Sequence, residues 1–303
     1  MEINNNLPRG HLAKMKIVLA LVGLLFQSFQ MIHADTINKT IDLTLPKIQV
    51  VPIKDSKLNR QYELLIKLPN NYEKTKKKKH PVIYYTDALW HVELLSSATE
   101  YLMEEAILVG ISWQKDISED FLEKYGIHYS RSRDYSVTKS SNPEIQAKHH
   151  LGQASNHLDF IRNDVISYIE KKYRTDPNQR TYFGYSAGGV LGAYILMSQP
   201  NTFKNYILGS PALMGDIPYL SELETKHAMK SKKINANVFI SYGNLEKELG
   251  EHAEDFIGVL KDRNDMNLSL THLVIEGSHQ TVFPMTGVRS VTWLSNLIGE
   301  QNK

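Results

Sequence analysis

A serine at residue 186 is the residue of this chain best placed for chemistry, because it lies in the pentapeptide Gly-Tyr-Ser-Ala-Gly at residues 184–188. A short apolar and aromatic run precedes the pentapeptide, and a helix-like stretch at residues 190–197 follows it. Between a strand and a helix, the serine of a G-x-S-x-G sequence stands on a tight turn that projects its hydroxyl out of the sheet. Small neighbours are needed there because the strand and the helix crowd the turn. The pattern predicts a nucleophilic serine, and a glycine-rich turn without chemistry is the alternative.

A histidine late in the chain is the predicted base for this serine. A serine hydroxyl is a poor nucleophile until a neighbouring base takes its proton. His279 follows a strand predicted over residues 270–275 and lies on a glycine-containing loop. Folds with a strand–turn–helix serine carry the order serine, acid, histidine along the chain, and His279 occupies the last place. A surface histidine without a role is the alternative.

The predicted orienting acid follows the preceding strand, at residues 238–242. Glu246 stands three residues beyond Gly243, and Glu248 and Glu251 are close enough to compete for the same role. A carboxylate at this place holds the imidazole in one tautomer and stabilises the imidazolium that forms during attack. The alternative for each glutamate is an exposed helix start, where the helix dipole favours a carboxylate.

Two backbone N–H groups are needed to bind the oxyanion. One is predicted at Ala187, directly after the nucleophile, and the other on the loop that follows a strand at residues 82–86. Leu89 is the first choice on that loop and Ala88 the second. Removing one preorganised donor of this kind costs about 3 kcal/mol of transition-state stabilisation.

Segments with strand composition alternate with helical patterns along the chain. The predicted strands are residues 62–68, 82–86, 106–112, 181–184, 206–209, 238–242 and 270–275. The predicted helices are residues 156–173, 251–263 and 283–298. This alternation predicts an α/β fold with a doubly wound, mostly parallel sheet, helices on both faces and an antiparallel hairpin at its start. Ligands of such sheets bind at the carboxyl ends of the strands, where each motif above falls.

The segment from Trp113 to Ser155 has weak periodicity. It predicts an irregular stretch of about forty residues, which is long for a compact domain and typical of a functional or mobile loop.

The N-terminus resembles an export signal. Lys14 and Lys16 precede an apolar run at residues 17–26, and Ala34 ends a sequence similar to a signal-peptidase site. The apolar run is too short to cross a bilayer as a helix. We predict a signal peptide at residues 1–34, one α/β domain at residues 35–303, and a periplasmic or secreted protein without stable membrane insertion. An uncleaved anchor is the alternative, and Met15 is an alternative start.

Composition excludes several other classes of function. The formal net charge of +2 is carried by the first 34 residues, so the predicted mature chain has no basic surface for nucleic acid. The chain has no cysteine, which excludes a thiol nucleophile and thiolate metal sites. His149, His150 and His157 fit no common ligand spacing. No metal and no cofactor is predicted.

Taken in order, many pieces of the chain match one known family. These pieces are PVIYYTD at 81–87, RSRDY at 131–135, HLDFI at 157–161, YRTDP at 173–177, GYSAGG at 184–189, SP at 210–211, YGNLE at 242–246 and GSH at 277–279. From about Tyr62 onward the chain resembles the serine esterases of the α/β-hydrolase superfamily, the group that includes esterase D and the mycolyltransferases. Within that group it is most similar to enterobactin-type siderophore esterases.

The resemblance implies a function and roles for three residues. Ser186 becomes the nucleophile, His279 the base and Glu246 the acid, in preference to Glu248, because the family's glutamate lies in the same Gly-x-x-Glu setting. The implied partner is a small-molecule ester, with a ferric siderophore trilactone as the first candidate. A general carboxylesterase, an acyltransferase and a non-catalytic binding protein are the alternatives, and some relatives depend little on the acid, which leaves a Ser–His dyad open.

The resemblance also implies substrate contacts. An arginine at 131 or 133 would line the entrance and grip an anionic or catecholate group through its planar fork. The predicted substrate-binding residues are Arg131, Arg133, Asp87, Trp90 and Tyr185. A structural pair of Arg133 with Asp134 is the alternative. The family usually has Asp-Gly where this chain has Asp87-Ala88, and an alanine is strained if that position needs a positive φ.

Overall fold

The computed structural model describes residues 47–74, 76–228 and 233–301. The predicted signal peptide lies outside these ranges. Eight strands form one sheet in the order β1-β2-β4-β3-β5-β6-β7-β8. The strands are β1 Ile48–Lys54, β2 Gln61–Lys67, β3 His80–Tyr85, β4 Ile107–Ile111, β5 Thr175–Tyr185, β6 Asn205–Gly209, β7 Ala236–Gly243 and β8 Leu268–Ile275.

Helices connect most of these strands. They are α1 Ala88–Leu102, α2 Glu119–Tyr125, α3 Tyr129–Tyr135, α4 Pro143–His149, α5 Ala154–Phe160, α6 Ser167–Lys172, α7 Ala187–Ser198, α8 Ile217–Ala228, α9 Lys247–Asp262 and α10 His279–Gln301. A π-helical segment at Ile161–Ile166 joins α5 to α6, so the predicted helix at residues 156–173 is present but is wider, with i→i+5 hydrogen bonding, at its centre. No helix within the described ranges is long and apolar enough to cross a membrane.

The sheet is mixed, and its parallel part carries the predicted chemistry. β1 and β2 form an antiparallel hairpin, β2 runs antiparallel to β4, and every later neighbouring pair is parallel. The predicted α/β fold and its initial hairpin are confirmed. The strand β1 was not predicted, because its edge position leaves its side chains half-buried or exposed and Pro52 interrupts its strand composition.

Consecutive side chains of the central strands fill two separate cores. Tyr84 of β3 and Tyr182 of β5 pack on one side of the sheet, and their neighbours Tyr85 and Phe183 pack on the other. Strands covered on both faces need apolar residues at successive positions, which explains their near-continuous apolar runs. Helix α7 is buried along almost its whole length, so the turn that precedes it is held rigidly.

The prediction of an irregular segment at residues 113–155 is wrong, because this segment contains the three short helices α2, α3 and α4. Each has only seven residues, which is two turns and too short for a hydrophobic period to show. Local caps begin two of them: the Ser118 hydroxyl accepts from the N–H of Phe121, and Asn142 precedes a proline at the first helical position.

Candidate active site

Ser186 lies between β5 and α7 in a strained conformation, with φ 58° and ψ −119°. A non-glycine residue reaches such angles only where the surroundings hold it, and strain of this kind is concentrated at functional sites. The strand before it and the helix after it approach so closely that a Cβ on Gly184 would lie 2.2 Å from the carbonyl oxygen of Gly188. The structure therefore places Ser186 on the strand–turn–helix elbow that the pentapeptide predicts.

Replacing Gly184 with alanine is expected to lower the free energy of unfolding by about 1–3 kcal/mol, because the new methyl group meets backbone that cannot turn away. The same change should lower esterolytic activity by moving the elbow. Chemical denaturation and p-nitrophenyl acetate turnover measure the two effects. The matched control is Gly258→Ala on α9, where no atom lies within 4 Å and alanine should stabilise the helix by roughly 0.5–1 kcal/mol. Wild-type stability and activity in Gly184→Ala would contradict this account of the turn.

His279 begins α10 directly after the loop that follows β8. Its Nδ1 is hydrogen-bonded to Oε1 of Glu246 at 2.5 Å. A carboxylate can only accept, so Nδ1 carries the proton and Nε2 keeps its lone pair as the basic nitrogen. The side chain of His279 is 32% exposed, whereas that of Glu246 is 5% exposed. The imidazole is therefore partly exposed to solvent, and the buried carboxylate of Glu246 orients it.

Glu246 is held by hydrogen bonds on both of its carboxylate oxygens. Its Oε2 accepts from the N–H of Gly243 at 2.5 Å and from the hydroxyl of Ser210 at 2.9 Å. Glu248 and Glu251 are exposed, and neither is bonded to an imidazole within the described residues. The structure thus brings one of the three competing glutamates to His279.

Tyr185 connects His279 to β5, the strand that precedes Ser186. Its hydroxyl donates to the carbonyl oxygen of His279 at 2.5 Å, and the two rings lie 5.1 Å apart. The side chain is 6% exposed, and burial raises the pKa of its phenol above the ordinary value. The structure places Tyr185 beneath the histidine, where it positions the imidazole, and not on a surface that a substrate could reach.

The predicted oxyanion donors begin two helices that face the same edge of the sheet. Ala187 is the first residue of α7, and Ala88 and Leu89 are the first two residues of α1. N–H groups in the first turn of a helix have no acceptor within that helix and carry the positive end of its dipole. The positive φ belongs to Asp87, at 55°, so Ala88 is helical and unstrained.

The side chain of Asp87 is completely buried and engaged within the protein, although the residue borders the cavity described below. Its carboxylate accepts hydrogen bonds from Arg131 and from the indole N–H of Trp113. This is a correction to its predicted role in substrate binding. Trp113, which sequence reasoning did not single out, is its neighbour in space but not in sequence.

Arg133 is also buried, with 7% of its side chain exposed. Its Nε and Nη2 donate to the two carboxylate oxygens of Asp134 at 2.7 and 3.0 Å, and Nη2 also donates to Gln114 at 2.7 Å. Asp134 in turn accepts from Arg60 and from the hydroxyl of Tyr62. The structure therefore places Arg133 in the structural pair with Asp134, which is the alternative given by the sequence.

A cavity of about 240 Å³ lies beside the predicted oxyanion loop. Its walls are mainly apolar and include Trp90, Trp113, Leu122 and Ile127. The rings of Trp90 and Trp113 are perpendicular at 4.7 Å, and Trp90 is 51% exposed. Of the predicted substrate-binding residues, Trp90 is the one that both lines a cavity and is exposed.

A family model described as "Putative esterase" matches residues 56–302, which is most of the chain. The chain belongs to this family. It is a hydrolase that acts on ester bonds, as the motifs predict.

Relatives of the esterase include proteins named for siderophores. The ferri-bacillibactin esterase BesA of Bacillus subtilis (strain 168) is 25% identical over 235 residues, which is 73% of this chain and 78% of that protein. The crystal structure of the BES protein from Bacillus cereus has a TM-score of 0.69 at 21% identity, covering 84% of this chain and 98% of that one. The siderophore hydrolase EstB from Aspergillus nidulans has a TM-score of 0.66 at 19% identity, covering 84% and 97%. These structures show that the fold is shared.

The three histidines at 149, 150 and 157 make contacts within the protein that do not form a metal site. His149 lies beside the ring of Tyr129, His150 is hydrogen-bonded to that phenol, and His157 is buried against Tyr62. Within the described ranges, no group of three histidine or acidic side chains could hold a metal ion. Burial lowers the pKa of His91, on the buried face of α1, to about 4, so that imidazole is uncharged at neutral pH.

Proposed function

We propose that the esterase cleaves carboxylic esters through an acyl-enzyme formed on Ser186. The observation that carries the proposal is the pairing of a strained serine elbow with a histidine whose Nδ1 is held at 2.5 Å by a buried glutamate. Both groups follow the carboxyl ends of strands in the parallel part of the sheet. This is the arrangement that serine hydrolases of unrelated folds have in common.

In the proposed first step, the Ser186 hydroxyl oxygen attacks the ester carbonyl carbon while Nε2 of His279 takes its proton. Glu246 stabilises the imidazolium formed in this step. The carbonyl oxygen becomes an oxyanion, which accepts hydrogen bonds from the N–H groups of Ala187 and of Leu89 or Ala88. The tetrahedral intermediate then collapses, and His279 returns the proton to the departing alcohol.

The second half of the reaction releases the acid and restores the serine. Water attacks the acyl carbon, His279 takes one of its protons, and a second oxyanion forms in the same place. Collapse of that intermediate breaks the bond to the Ser186 oxygen, which recovers a proton from His279. No metal or cofactor is required for this proposed cycle.

The proposed substrate is a siderophore ester, with any iron entering as part of the substrate. The names of the relatives support this choice, because one is a ferri-bacillibactin esterase and another a siderophore hydrolase. Trp90 and Trp113 beside the oxyanion loop would give a flat substrate group an apolar surface. The second candidate is a general carboxylesterase, which the modest cavity of about 240 Å³ favours, since it suits a single acyl group.

A hydrolysis panel on the purified protein separates the two candidates. We expect siderophore trilactones, with and without iron, to be cleaved with a kcat/KM at least about 100-fold above that of short and long p-nitrophenyl esters. Such a ratio corresponds to about 2.7 kcal/mol of additional transition-state binding. Equal values across the panel would favour the general carboxylesterase. Transfer of the acyl group to an added alcohol, read by mass spectrometry, would instead identify an acyltransferase.

Export is part of the proposal. The apolar run behind Lys14 and Lys16 supports a cleaved signal, which would leave a periplasmic or secreted chain beginning at Asp35. N-terminal sequencing of protein recovered from the periplasm or medium tests this. A cytoplasmic chain that retains residues 17–26 would contradict it.

A further inference from the structure

One buried carboxylate connects the predicted oxyanion loop to the segment that follows β4. Asp87 Oδ1 accepts from Nε of Arg131 at 2.8 Å and from Nε1 of Trp113 at 2.7 Å. Its Oδ2 accepts from Nη2 of Arg131 at 3.0 Å. The arginine fork and the indole thus give the carboxylate three charge-assisted hydrogen bonds.

Asp87 is also the residue that sets the direction of α1. Its backbone is left-handed, with φ 55° and ψ 46°, and the next two residues carry the N–H groups proposed for the oxyanion. Its side chain does not cap the helix, and its carboxylate is held by bonds to residues outside α1. Its N–H donates to the hydroxyl of Tyr135 at 3.3 Å, and Tyr135 lies on α3 together with Arg131. Both the backbone and the carboxylate of Asp87 are therefore anchored by α3.

The carboxylate lies close to the nucleophile's turn. A Cβ built on Gly188, two residues beyond Ser186, would lie 3.5 Å from Asp87 Oδ2. A buried negative charge at this place would oppose an oxyanion forming nearby, because like charges repel strongly where water is excluded. The guanidinium of Arg131 supplies the compensating positive charge.

Arg131 is almost fully engaged within the protein. Its side chain is 16% exposed, and its guanidinium lies 5.3 Å from the ring of Trp90 and 5.6 Å from that of Tyr135. The flat cation is thus stacked between an aromatic residue of α1 and one of α3 while its fork is bonded to Asp87. Little of the guanidinium remains exposed for contact with a substrate.

We infer that Arg131 is a positioning residue with two roles. It holds Asp87 in the left-handed conformation, which keeps the oxyanion donors in position. It also neutralises the charge of the Asp87 carboxylate, so that this charge does not repel the oxyanion. This inference rests on the proposed serine-esterase function. It replaces the expectation that Arg131 binds an anionic group of the substrate.

The test compares kcat and KM of four proteins on a neutral and an anionic ester: wild type, Arg131→Ala, Asp87→Asn and the double variant. The esters are p-nitrophenyl acetate and the p-nitrophenyl monoester of succinate. Arg131→Ala should lower kcat by about 100-fold on both esters, the size of effect seen when an oxyanion donor is lost, with KM changed less than about threefold. The kcat of the double variant should be at least about tenfold above that of Arg131→Ala, because the double variant no longer has the unpaired carboxylate charge of Asp87.

Two outcomes would overturn the inference. One is a KM that rises for the anionic ester alone while kcat is kept, which is the signature of substrate binding. The other is a double variant no more active than Arg131→Ala. Arg162→Ala, which removes an exposed arginine, is the matched control and should keep wild-type kinetics. A wild-type protein that is inactive on both esters would contradict the proposed function itself, and this outcome is distinct from the two that concern Arg131.

A conservative variant and a chemical rescue keep the test decisive if Arg131→Ala folds poorly. Arg131→Lys keeps the positive charge without the fork, so its kcat should lie between those of wild type and the alanine variant. Added methylguanidinium should raise kcat of folded Arg131→Ala and leave that of wild type unchanged. A lysine variant with the same kcat as wild type, or with a loss confined to the anionic ester, would reject the positioning role.

Discussion

Replacing Ser186 with alanine will lower kcat for ester hydrolysis by roughly 10⁵-fold or more, the loss seen when the nucleophile of a serine hydrolase is removed. The change deletes one oxygen and keeps the Cβ, so the strained turn at φ 58° and the buried helix behind it should be retained. Turnover of p-nitrophenyl acetate measures kcat, and the thermal unfolding midpoint, expected within a few degrees of wild type, reports the fold.

The control for this prediction lies on the same helix. Ser198 is buried, and its hydroxyl has no hydrogen-bond partner among the described residues, so Ser198→Ala should be active. A fluorophosphonate probe should label wild type and Ser198→Ala at Ser186 and leave Ser186→Ala unlabelled. Full ester turnover by Ser186→Ala would refute the proposed mechanism.

Replacing Glu246 with glutamine will lower kcat by about 10³–10⁴-fold with little change in KM. Glutamine keeps the shape and can still accept from Gly243 and Ser210, but its amide N–H₂ cannot stabilise an imidazolium and favours the wrong tautomer of His279. The two exposed competitors, Glu248→Gln and Glu251→Gln, are matched controls and should retain wild-type kcat.

The outcome of the Glu246 experiment decides between a triad and a dyad. A loss of less than tenfold in Glu246→Gln would show that the serine and histidine work as a pair. A large loss in Glu248→Gln or Glu251→Gln, with Glu246→Gln active, would move the acid to another residue. The 2.5 Å bond from Glu246 to His279 is the reason we expect neither result.

Much of the fold could be predicted from the sequence because its signals are local. All seven predicted strands are present, and four of them, β3, β4, β5 and β7, are buried parallel strands whose runs of apolar residues stand out in the sequence. Several of the elements that were missed, β1 and the helices α2 to α4, are short or half-exposed, and they are stabilised by caps and neighbours instead of by a long apolar period.

The residues of the candidate site also differ in how well the sequence alone predicts them. The turn at Ser186 could be predicted because its glycines, strand and helix are adjacent in sequence. His279 could be predicted because the order of residues along the chain leaves few alternatives. Glu246 could not be separated from Glu248 and Glu251 with the same certainty, because the local sequence does not show which carboxylate is buried beside the histidine. Burial argues against substrate contact for Tyr185 and favours the structural alternative for Arg133, because a side chain's exposure depends on what packs over it.

By itself, the sequence determined the family, the α/β fold and the positions of the serine and the histidine, because each depends on residues close together in the chain. Only the tertiary structure decided what Asp87 and Arg131 do. The carboxylate's partners lie 26 and 44 residues further along the chain, and three bonds converge on it only when the segment after β4 and helix α3 both pack against the predicted oxyanion loop. Contacts between such distant residues are selected by packing of the whole domain, and no local pattern encodes them.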